Sequence, residues 1–128
     1  MAEPVDVELI LTTWLRGRFP DVRSCTELPA RVETVLPVVQ VATVGGPAAR
    51  FGSRPRIDVD VFAADYGSAR SLALRVRDEL LALRGPVEPG AVVKWTRIDS
   101  DPSRRPYENP ALRRVGLTVT IALHPAAY

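Results

Sequence analysis

Arg113-Arg114-Val115-Gly116-Leu117-Thr118-Val119-Thr120-Ile121-Ala122-Leu123 is the stretch that decides the fold. Val115, Leu117, Val119, Ile121 and Leu123 alternate with Gly116, Thr118, Thr120 and Ala122, the period-two signature of a strand with one buried face. The segment feeding it, Arg104-Arg105-Pro106-Tyr107-Glu108-Asn109-Pro110, reads as a stiff, charged, aromatic connector.

Working back from that strand, Ala91 to Ile98 reads as its neighbour, with Val93 and Trp95 alternating against Val92, Lys94 and Thr96. Asp99 to Asn109 is expected as a loop between the two. Asp65 to Arg84 is the longest helical pattern. Ala69, Leu72, Ala73, Val76, Leu80 and Leu83 form its apolar stripe, Asp65 or Ser68 supplies a cap, and Gly85-Pro86 ends it. Arg56 to Ala63 is a strand, with Ile57, Val59 and Val61 on one face and Asp58, Asp60 and Phe62 on the other. Val35 to Val44 is a second valine-rich strand, with β-branched residues on both faces and Gln40 interrupting them. Gly45 to Pro55 is a long hairpin loop with Arg50, Phe51 and Arg54 and no acidic residue. It serves either contact with a partner or a mobile turn whose Phe51 folds back on the sheet. Val22 to Leu28 is a weak strand, and Glu3 to Arg18 a helix with Val7, Ile10, Leu11, Trp14 and Leu15 on one stripe.

This order predicts an α+β two-layer sandwich: a mostly antiparallel sheet of four to five strands, both helices packed on one face, the other face exposed. At 128 residues the chain reads as a single domain, residues 1–128. Hydrophobic residues at 46% and charged residues at 25% are ordinary globular composition. A net charge of +2 does not mark a general nucleic-acid binder, although the pI is near 9.1. Cys25 stands alone, so no intrachain disulfide forms and a reducing compartment fits. No leader and no membrane-spanning run is read, so a soluble protein made in the cytosol is expected.

Catalytic chemistry has no constellation to rest on. His124, the one histidine, lies at a strand end; Cys25 has no histidine near it in sequence; the Gly45-Gly46 turn lacks a phosphate-loop pattern. Asp58 and Asp60 share a strand face, but a solvated or arginine-paired face accounts for them better than a metal site. The expectation is therefore no enzyme, with no catalytic, cofactor-binding or metal residues.

Three stretches carry a resemblance: Asp6-Val7-Glu8 through Trp14-Leu15-Arg16-Gly17-Arg18-Phe19-Pro20; Leu36-Pro37-Val38-Val39-Gln40-Val41 with the glycine loop and Ile57-Asp58-Val59-Asp60-Val61-Phe62-Ala63; and Arg105-Pro106-Tyr107-Glu108-Asn109-Pro110 through Arg113-Arg114-Val115-Gly116. Over nearly its full length the chain resembles the small tail terminator proteins of long-tailed, siphovirus-like phages and prophages of actinobacteria. The resemblance implies a virion protein assembled in the host cytoplasm. Such proteins form a ring, commonly a hexamer, on the head-proximal end of the tail tube. The ring stops polymerisation of the major tail tube protein and gives the head–tail connector a docking surface. DNA passes through its lumen without sequence-specific binding, and no membrane is involved. Closed rings need a heterologous interface, two different patches of one subunit. Arg50, Phe51 and Arg54 in the loop, and Arg104, Arg105, Tyr107 and Asn109 in the connector, are the candidates for subunit or tube contact, since arginine and aromatic residues anchor interfaces. The alternative within the same architecture is a head-completion or neck protein joining connector to tail. A nucleic-acid-binding module, suggested by the arginines, and a small enzyme are the readings from other classes.

Overall fold

A computed structural model describes residues 5–46, 48–49 and 52–126, with backbone alone at 48, 49 and 52. The chain runs α1 (Val7–Arg18), β1 (Arg23–Cys25), a 3-10 turn (Val32–Thr34), β2 (Val38–Gly45), β3 (Ala48–Ala49), β4 (Gly52–Ser53), β5 (Arg56–Ala63), α2 (Tyr66–Ala82), β6 (Gly85–Val87), β7 (Ala91–Arg105) and β8 (Arg113–Pro125).

The alternating strand β8 is central. It pairs antiparallel with β5 on one side and with β7 on the other. Outward from β5 lies β2, antiparallel, and then β1, parallel; outward from β7 lies β6, antiparallel. The two-residue strands β3 and β4 pair with each other, and β4 joins β8 at Ser53–Leu123. The apolar face of β8 meets Val39, Val41, Ile57, Val59 and Val61 and the stripes of both helices in one core. Both helices therefore cover the same face, as expected.

Local signals explain the ends of the helices. The Asp6 carboxylate accepts the Leu9 N–H at 3.1 Å, so α1 starts at Val7; Glu3 and Pro4, read as its first residues, lie outside the described residues. Asp65 accepts the Ser68 N–H at 2.8 Å to cap α2. α2 ends at Ala82, where Leu83 turns to extended backbone with its N–H on Leu80 O, and Gly85 takes φ +84° at the start of β6. Leu80 O, near the end of α2, also accepts the Thr96 hydroxyl at 2.7 Å, tying the helix to β7. No helix among the described residues is long and apolar enough to cross a membrane.

Several expectations need correction. Among the described residues the sheet has six strands of three or more residues, plus the two-residue pair, rather than four to five. The weak strand read at Val22 to Leu28 is the three-residue edge β1, and the added strand is β6, a three-residue edge too short to show a period and hidden by the Gly85-Pro86 punctuation. Asp99 to Arg105 is not a loop: β7 continues to Arg105 through register shifts at Val93/Trp95, Ile98/Ser100 and Ser100/Ser103. Those irregularities admit Pro102 and break the alternation, so Ala91, Val93 and Thr96 are buried while Trp95 is only half-buried. Finally, the face opposite the helices is not simply exposed. At its Phe62 end, Val32, Val38, Phe62 and Leu112 form a second core, with Leu28, Val35, Leu36 and Tyr107 packed against it.

Candidate functional site

The second face of β5, β8 and β7 carries polar residues in register. Arg56, Asp58, Asp60 and Phe62 lie opposite Thr120, Thr118, Gly116 and Arg114. Across β8, the same residues meet Arg97, Ser100, Ser103 and Arg105. The result is a ladder of ion pairs along the sheet. At one end the Thr120 hydroxyl donates to Asp99, whose other oxygen accepts from Arg97 Nε at 2.8 Å, with Arg56 Nε 3.8 Å away. Burial pushes the Asp99 carboxyl up, but the Thr120 and Arg97 hydrogen bonds and the Arg97 and Arg56 charges outweigh it. The group ends below its ordinary value.

At the other end Asp60 is 4% exposed and is held by two arginines. Arg105 Nη1 reaches one oxygen at 3.0 Å, and Arg114 Nη2 reaches the other at 2.9 Å. Arg105 also lies 3.5 Å from Asp58 and donates to Thr118 at 3.2 Å. The hydrogen bond to Asp60, with the charges of Asp60 and Asp58, raises the Arg114 pKa against the effect of its own burial. The arginine-paired reading of the Asp58–Asp60 face is therefore the one found. Gly116 makes this possible. Its missing side chain leaves the space in which Asp60 Oδ1 and the Arg105 guanidinium meet.

The connector end opens into a cleft of about 600 Å³ between the end of β7, the 106–112 segment, the start of β8 and Tyr66 at the start of α2. Arg104 lies over the Tyr66 ring, 3.8 Å from its centroid. Tyr107 meets Phe62 edge-on at 5.2 Å and 73°. Asn109 caps its own turn, accepting from the Ala111 N–H at 2.9 Å, and its amide donates to Glu33 at 3.3 Å. Arg113 Nη1 donates to the Pro110 and Leu112 carbonyls, both at 3.0 Å.

Among the predicted contact residues, Arg104, Arg105, Tyr107 and Asn109 come together at this cleft. Arg105 and Asn109 spend much of their bonding capacity inside the subunit, Tyr107 packs on Phe62, and Arg104 is exposed. Arg54 is also exposed but lies elsewhere, beside Pro55, whose carbonyl accepts from Ile121 at 3.1 Å. Ile121 and Arg113 are roughly 27 Å apart along β8, taking a strand rise of about 3.4 Å per residue. Arg50 and Phe51 lie outside the described residues. Sequence reading missed Tyr66, Arg113 and Arg114. The double arginines at 104–105 and 113–114, flanking one short connector, were the available signal. Among the described residues no group of three His, Cys, Asp or Glu is placed to hold a metal ion. Cys25 is half-buried, and burial raises its thiol pKa against the pull of Arg23 and Arg16.

The sequence matches no family model and no curated protein. Among solved structures it is similar to a chain from the virion of a native gene transfer agent particle. That match has a TM-score of 0.67 at 15% identity, over 96% of this chain and 99% of that one. The two chains share a fold from end to end.

Proposed function

We propose that this chain is a phage-type virion structural protein that closes into a ring on the head-proximal end of a tail tube, ends tube polymerisation and presents the docking surface for the head connector. The observation that carries the virion reading is the end-to-end fold likeness to a virion chain. The tail-end role rests on the resemblance to tail terminators. The placement of the candidate contacts supports it. The connector cleft and the Arg54 segment sit at opposite ends of β8, and a closed ring larger than a dimer joins two unlike patches of each subunit. In this reading the mechanism is occupancy: the ring covers the surface on which the next tube subunit would add. No chemical step is needed, DNA passes through the lumen, and the ring is a hexamer.

The test is tube elongation in vitro. Purified protein added to polymerising tail tube protein is expected to stop growth at about one ring per tube, with rings visible at one tube end in negative stain. Phe51→Ala with Arg54→Ala is expected to abolish capping without changing the melting temperature. Tubes that grow unchecked, while the protein binds portal or connector complexes, would replace this reading by a neck protein.

A further inference from the structure

We propose that the connector cleft is a binding site for an acidic peptide segment of a virion partner, with Arg104 and Arg113 as its anchors. The inference rests on the ring reading only for the partner's being a virion protein; the site itself is argued from its charge.

Arg105 and Arg114 are matched by Asp58 and Asp60 beneath them. Arg104 and Arg113 are not matched: among the described residues neither has a carboxylate within the 4.0 Å that defines a salt bridge. Both line the same cleft. The Arg104 guanidinium is already oriented by the Tyr66 ring, and the two backbone carbonyls that Arg113 holds fix one of its nitrogens. Two placed guanidinium groups with free donors are suited to bidentate capture of carboxylates. Arg114 also lines the cleft, but its charge is met by Asp60 and its Nε is buried, so the two anchors are Arg104 and Arg113.

The walls favour a peptide over a nucleic-acid backbone. The cleft is one half-open recess with Tyr107, Pro106 and Leu112 among its lining, which suits an apolar side chain between acidic ones. Binding to a phosphate backbone calls for a stripe of cations along a groove, and here the rest of the ladder is neutralised by its own aspartates. An extended segment with carboxylates on either side of an apolar residue would set one carboxylate on Arg104, the other on Arg113, and the apolar group on Tyr107.

The probe is a fluorescein-labelled peptide of alternating glutamate and leucine, titrated with the full chain at low salt and followed by anisotropy. Saturable binding is expected. The glutamine version should lose it, and Arg104→Ala and Arg113→Ala should each weaken it about tenfold, the loss of one charge-assisted hydrogen bond. Arg31→Ala and Arg70→Ala, exposed arginines outside the cleft, are controls expected to change nothing. Equal weakening by the controls would mean general charge attraction and overturn the site. So would the absence of saturation, or tighter binding of a single-stranded oligonucleotide lost with the same two variants. Tube capping plays no part in this assay, so a failure here and a failure of the ring reading are distinguishable.

Discussion

Gly116→Ala is the perturbation on which the ion ladder can be judged. Gly116 pairs with Asp60 on β5 and with Ser103 on β7. A Cβ at this position would overlap Asp60 Oδ1 and stand 2.6 Å from both Nε and Cζ of Arg105. Replacing a strand glycine by alanine is ordinarily favourable by about 0.5–1 kcal/mol, because the unfolded chain loses freedom. Here the methyl evicts the Arg105 guanidinium and breaks its 3.0 Å bond to Asp60. A hydrogen bond to a charged group is worth about 1.5–3 kcal/mol, and partial exposure of Arg105 favours the lower end. The net expectation is a destabilisation of about 0.5–1.5 kcal/mol, or a fall in Tm of roughly 2 to 6 °C for a domain of this size. The assay is thermal and urea denaturation of Gly116→Ala, Asp60→Ala and the double variant. Without the Asp60 carboxylate there is nothing to overlap on that side, and Arg105 is free to swing out. In that background Gly116→Ala should be neutral or mildly stabilising, a coupling of about 1 kcal/mol or more. Equal destabilisation in both backgrounds would refute the claim that Gly116 is there to admit the ion pair.

Val119→Asp should abolish cooperative unfolding in circular dichroism. Its site is fully buried in the main core, and an unpaired carboxylate there costs several kcal/mol against a total stability of about 5–15 kcal/mol. Cys25→Ser should leave Tm nearly unchanged, since the residue is half-buried at the three-residue edge strand. Asp99 has a folded pKa below its unfolded value, so its stabilisation is complete above about pH 4 and is lost as pH falls through the folded pKa. Asp99→Asn should therefore be less stable than the native chain at neutral pH, and the gap should close in acid melts.

The legible parts of this fold are those where an apolar face turned to the core alternates with residues that are mostly polar or small. β8, β5 and the α2 stripe could be read residue by residue, because burial imposes their periods and nothing else competes. β7 could not. Bulges at Val93/Trp95 and beyond shift the buried face midway, so Asp99 to Arg105 looks like a charged loop although it stays paired with β8 on either side of the bulges at Asp99 and Asp101–Pro102. The second core was hidden for a different reason. Val32, Leu112 and Tyr107 lie in segments without a period, and they meet Phe62 only because the chain folds back there. At the site, the Asp58–Asp60 pair and the arginine-rich connector were visible as composition. Which arginine takes which aspartate was not, because it depends on the register of β7 against β8 and on the empty space at Gly116.

That register also divides the labour among the arginines. Along β7, Arg105 turns onto the sheet face, where Asp60 neutralises it. Arg104, its neighbour, must point the other way by strand alternation, and it reaches Tyr66 on α2. Along β8 the same alternation sends Arg114 to Asp60 and leaves Arg113 to the connector carbonyls. Each Arg-Arg dipeptide therefore supplies one arginine that builds the subunit and one that is left for a ligand. Loss of Arg105 or Arg114 should lower stability and binding together. Loss of Arg104 or Arg113 should lower binding while the melting temperature stays within about 2 °C, a surface-scale effect. A large stability loss for either of the latter would mean that they, too, belong to the scaffold.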